Sequence, residues 1–144
     1  MSRQNVEIVR RAWDAWGRGD LDGLLAVCTA DLIFGMTHVR DWPEPEYRGH
    51  DGLRRFLTEW LEVWYGFEVG VDELIPAADG RVVSLFSQRG KGRQSGLSME
   101  MEWGIVTTMR GERIARIENY DDRAQALKAV GLMEGTRPPP ESGL

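Results

Sequence analysis

Two side chains in this sequence combine acid or base chemistry with a position that would bring them to a cavity, Asp121 and His38. Side chains alternate along an extended strand, so in "RIENYDD" Asp121 shares a face with Asn119 and Ile117. If that face is the concave one, desolvation would raise the pKa of the carboxyl and suit it to proton transfer. The competing reading is that Asp121 or Asp122 caps the helix that follows. His38 ends the extended stretch "DLIFGMTHV", beside the loop "RDWPEPEY", where a neutral imidazole could act as a base near neutral pH. Its alternative is an exposed loop-edge histidine with no chemistry, and His50, beside Asp51, reads as structural. No set of His, Cys, Asp or Glu has metal-ligand spacing, no glycine-rich phosphate loop follows a strand, and no Ser or Cys sits in a nucleophile elbow. No metal or cofactor is therefore expected. The single cysteine, Cys28, has no disulfide partner in the chain and reads as a core thiol.

These candidates need elements to position them. Val6, Val9, Ala12, Trp13 and Trp16 recur at the spacing of one helical face, and Gly17 and Gly19 end that helix in a Gly-Arg-Gly-Asp turn. Asp20 is placed to cap a second short helix, "LDGLLAVC", before the chain becomes extended. The loop "RDWPEPEYRGHDG" follows. Asp51 then caps "GLRRFLTEWLEVWYG", whose Leu53, Phe56, Leu57, Trp60, Leu61 and Trp64 form an apolar stripe. From Phe67 the period changes to two. "FEVGVDELIPA", "RVVSLFSQRGKG", "LSMEMEWGIVTTM" and "RIARIENYDD" are four strands separated by turn-like segments, an antiparallel meander. In the third of these, Met99, Met101, Trp103 and Ile105 share the apolar face. "RAQALKAVGL" reads as a closing helix.

A run of helices followed by a run of strands predicts α+β layering, with helices packed on the concave face of a curved, cone-shaped antiparallel sheet. Residues 1–132 make one domain, and 133–144, with nothing to bury, make a disordered tail. A formal charge of −5 excludes the basic face of a nucleic-acid binder. No apolar run has the length of a membrane span or the layout of a signal peptide, so a cytoplasmic protein is expected.

The phrases "AWGRGDLDGLLAVCTADLIF", "YRGHDGLRRFLTEW" and "GERIARIENYDDRAQAL", in this order and spacing, resemble the SnoaL-like and ketosteroid-isomerase-like branch of the nuclear transport factor 2-like superfamily. The resemblance implies a cone with an apolar interior, and it implies a homodimer formed through the outer face of the sheet. The superfold carries isomerases, cyclases, hydrolases, carriers and structural members, so residues must decide between them. At the positions of the steroid isomerases' catalytic groups, the resemblance places Ala12, Gly104 or a strand neighbour, and Met36. The Asp-Arg-Asp set of the epoxide-hydrolase branch becomes Phe86, Gln88 and Asn119. Neither catalytic set is present, but Gln88 and Asn119 keep the capacity to hydrogen-bond a ligand. The expected site is thus an apolar cavity for a hydrophobic small molecule, lined by Trp16, Met36, Trp60, Trp64, Phe86, Gln88, Met101, Trp103 and Asn119. Trp42 lies over its mouth, and Asp121 and His38 are its acid/base candidates. Two functions follow, a cofactor-independent acid/base enzyme or a non-catalytic binding module, with a dimeric scaffold as the third alternative.

Overall fold

A computed structural model of the protein describes residues 2–132; the tail expected over 133–144 lies outside them. Helix α1 (Ser2–Gly17) buries Ile8, Val9, Ala12 and Ala15, the stripe its period requires. It ends where Gly19 takes a left-handed φ of 72°, open to glycine without steric cost, and Asp20 donates its backbone N–H to the Ala15 carbonyl. Asp20 then caps α2 (Leu21–Ala26), its Oδ1 accepting from the Gly23 N–H at 2.9 Å. Strand β1 (Cys28–His38) follows, then β2 (Glu46–Arg48), a three-residue strand inside the segment expected to be loop. Helix α3 (Gly49–Glu62) starts before Asp51, which sits in its first turn instead of capping it.

Four long strands complete the sheet: β3 (Trp64–Pro76), β4 (Val82–Gly92), β5 (Ser98–Arg110) and β6 (Arg113–Tyr120). The strand order is β2-β1-β6-β5-β4-β3. The meander β3 to β6 is antiparallel as expected, but β6 lies beside β1 in parallel, so the sheet is mixed. Register shifts in β1, β3 and at Thr108–Met109 of β5 mark irregularities of the kind that bend and twist a sheet into a curve. Among the described residues no helix is long and apolar enough to cross a membrane.

Helices α1 and α3 pack on one face of this sheet, over the larger core. The closing helix α4 (Arg123–Ala129) does not join them. Its Ala126 and Leu127, both fully buried, pack with Ile75, Val83, Leu85, Val106 and Tyr120, the side chains that alternate away from the larger core. Gly104 makes this approach possible, because a Cβ there would fall 2.6 Å from the Ala126 Cβ. Helices α1 and α3 thus cover the concave face as expected, and the apolar residues on the reverse take α4 as their cover.

Candidate functional site

The inner faces of both layers converge on one void. Along α1, Val9, Ala12, Trp13 and Trp16 line it; along α3, Leu53, Phe56, Leu57 and Trp60 do. Both sets follow the i, i+3, i+4 spacing that brings residues to one side of a helix. The sheet contributes residues that alternate: Phe86 and Gln88 from β4, Trp103, Ile105 and Thr107 from β5, and Ile117 and Asn119 from β6. Leu24, Phe34, Phe67, Val69 and Ile114 complete the lining of a cavity of about 110 Å³.

Aromatic contacts set the shape of this wall. Trp60 lies 5.8 Å from Trp103 and 6.1 Å from Phe67, ring centre to ring centre, while Trp13 lies 5.0 Å from Phe86. The Trp13 indole N–H donates to Ser84 Oγ at 3.0 Å, which pins α1 to β4. Polar groups are few: the Thr107 hydroxyl and the amides of Gln88 and Asn119, all three residues buried. Asn119 Nδ2 donates to the Gly35 carbonyl at 3.1 Å across the parallel β1–β6 seam, whereas Gln88 Nε2 has no partner among the described residues. Among the described residues no side chain that titrates lines the cavity. Among the described residues no cluster of His, Cys, Asp or Glu could hold a metal ion.

Of the residues expected here, Trp16, Trp60, Phe86, Gln88, Trp103 and Asn119 are brought together on this lining, and six are not. Asp121 lies beyond the end of β6, where alternation no longer governs direction. Its Oδ2 accepts from the Arg40 backbone N–H at 2.9 Å and from Arg40 Nε at 3.1 Å. Burial pushes its pKa up, but the backbone and side-chain hydrogen bonds from Arg40, with the guanidinium charge, outweigh this and hold it below the ordinary carboxylate value. The raised pKa expected for a proton carrier is thus replaced by a lowered one. Asp122, not Asp121, caps α4, accepting from Ala124 N–H at 2.8 Å and Gln125 N–H at 3.3 Å. His38 is exposed and stacks on Tyr120 at 4.2 Å, on the side of the sheet that α4 covers.

Trp42 packs against Phe56 and Trp60 behind the lining, and its indole N–H donates to Tyr47 Oη at 3.1 Å. Met36 is 1% exposed within the core, and Met101 packs at the edge of that core. Trp64 was expected one turn after Trp60 on the same helix; α3 instead ends at Glu62 and Trp64 is the first residue of β3, its ring 5.5 Å from that of Trp60. The other lining residues were not expected there, among them Trp13, Val69 and Thr107. Trp13 belongs to the α1 stripe and Thr107 to the alternation of Trp103 and Ile105, so both patterns carried the signal.

A family model described as the SnoaL-like domain matches residues 9–117. The chain belongs to the SnoaL-like family. Solved structures with the same architecture include a nuclear transport factor 2-like protein from Burkholderia xenovorans LB400, 28% identical, with a TM-score of 0.69 over 91% of this chain and 98% of that one. A second such protein, from Burkholderia thailandensis E264, is 25% identical with a TM-score of 0.73, covering 85% of this chain and 95% of that one. TerC, crystallised with polyporic acid, is 21% identical with a TM-score of 0.71, covering 88% and 97%. No curated protein matches the chain. The SnoaL-like cone is thus shared widely, and the side chains lining this member carry the argument for what it does.

Proposed function

We propose that the protein binds an apolar small molecule in this cavity and transfers no proton to or from it. The observation that carries this reading is the absence of any titratable side chain from the lining. A general acid or base must lie within hydrogen-bond reach of the reacting atom, directly or through one water. Amide, hydroxyl and indole groups, the polar groups present, do not exchange protons usefully near neutral pH. The two acid/base candidates lie elsewhere: Asp121 is held ionised by Arg40, and His38 stacks outside the cavity. What remains is a small, mostly apolar enclosure rich in aromatic rings with a few oriented polar groups, the usual make-up of a small-molecule site. The likeness in fold to TerC, which was crystallised with polyporic acid, supports the small-molecule part of this reading.

Titration with toluene, an uncharged probe of a single ring suited to a cavity of this size and followed by ligand-observed NMR, tests it. Saturable binding of one probe per chain is expected, and Ala12→Phe, which fills the cavity from α1, should weaken it at least tenfold. No saturable binding, or turnover of a substrate that disappears in Asp121→Asn or His38→Ala, would overturn the reading.

A further inference from the structure

Two carboxamides reach the cavity, and they are not equivalent. Asn119 has committed its N–H to the Gly35 carbonyl and so braces the seam between β1 and β6. Gln88 has committed nothing: its residue is 6% exposed, and Nε2 is enclosed without an acceptor among the described residues. The other enclosed polar atoms without partners, on Thr29, Trp64, Glu118 and Arg123, belong to residues that do not line the cavity. A buried donor left unpaired is a penalty that a native structure rarely carries without a reason. Across the strands Gln88 faces Val69 and Met101, and Phe86 with its partner Trp103 stands two residues along, so its cavity side is apolar.

We infer that Gln88 is the specificity-determining residue of the cavity, and that it selects an uncharged aromatic molecule bearing a carbonyl oxygen that accepts a hydrogen bond from Nε2. This rests on the binding reading above. The aromatic requirement follows from the rings of Trp13, Trp16, Trp60, Trp103 and Phe86, whose faces and edges reward a flat ligand. The absence of charge follows from the lining, which has no cation to balance a buried carboxylate. The carbonyl follows from the direction of the unmet bond: the free group donates, so the ligand must accept.

The test compares three single-ring probes of similar size by ligand-observed NMR titration: acetophenone, ethylbenzene and benzoate. In Gln88→Leu the affinity for the ketone should fall about tenfold, the equivalent of one lost hydrogen bond, while that for the hydrocarbon holds or rises. The benzoate should bind the wild-type protein at least a hundredfold more weakly than the ketone. Gln88→Met, unbranched like the native side chain, provides the same readout where Leu does not pack. If Gln88→Leu or Gln88→Met weakens ketone and hydrocarbon equally, or changes neither, the inference is overturned while the cavity reading stands. Tight binding of the benzoate would also overturn it. If neither uncharged probe binds the wild-type protein, the cavity reading itself fails and the inference with it.

Discussion

With Oδ2 held by both the backbone and the side chain of Arg40, Asp121 ties the segment after β1 to the end of β6. Its folded-state pKa is lowered, so this contribution is fully present above its unfolded value, about 4, and is lost as pH falls through the lower folded value. Asp121→Asn should therefore lower stability by about 1 kcal/mol at neutral pH, and denaturant titrations should show the gap from wild type closing below about pH 4. Probe binding in the cavity should not change, since the residue does not reach it. Cys28 offers a second check. It is fully buried, and burial pushes its thiol up to about 12, so an aromatic disulfide reagent at mildly alkaline pH should leave the native protein unlabelled and react once denaturant is added. Much of the lining was legible in the sequence, because the α1 stripe and the β5 alternation each fix a face. The acid/base candidates were misplaced for local reasons. Alternation from Ile117 and Asn119 stops with β6 at Tyr120, one residue before Asp121. In β1 a register shift between Gly35 and His38 breaks the alternation that would otherwise have carried His38 inward with Phe34 and Met36.

The strands of the meander announce themselves through period-two patterns, and their ends lie within a few residues of expectation. Helix α3 shows how a pattern can run past its element. Trp64 keeps the four-residue spacing from Trp60, yet Val63 ends the helix and the Trp64 ring settles over Gly90, where a Cβ would come within 3.2 Å of it. Strand β2 has too few residues for any periodicity, and the parallel β1–β6 pairing joins segments some eighty residues apart, which no local pattern reports. The side taken by α4 was also hidden, since its apolar residues fit either face and only the missing side chain at Gly104 selects one. Gly104→Ala would force the helix away from the sheet and should destabilise the fold by about 1–3 kcal/mol in chemical denaturation, with probe binding retained on the opposite face. Asp122→Ala, removing the α4 cap, should cost about 1 kcal/mol in the same measurement.

A homodimer through the outer face of the sheet, as the family resemblance implies, would meet a surface unlike the one expected. Its apolar rows, Val83, Leu85 and Val106, lie under α4, and the neighbouring positions carry charge, with Glu68 and Arg89 paired at 2.7 Å and Arg116 and Glu118 at 2.7 Å. We propose that pairing through this face is made by charged rows, so light scattering should show a dimer at low salt that dissociates at several tenths molar salt. A dimer indifferent to salt would place the contact elsewhere. The position of β6 bears on how the molecule comes into being. Until β6 is made, the β1–β2 pair and the β3–β4–β5 meander have no strand in common, and the cavity lacks the wall that Ile117 and Asn119 provide. Synthesis proceeds from the N-terminus, so the nascent chain carries two separate sheet fragments with apolar inner faces until β6 has left the ribosome. The cavity therefore closes only once β6 is in place, and a chain truncated before Arg113 should expose the aromatic wall to chaperones and to other unfinished chains.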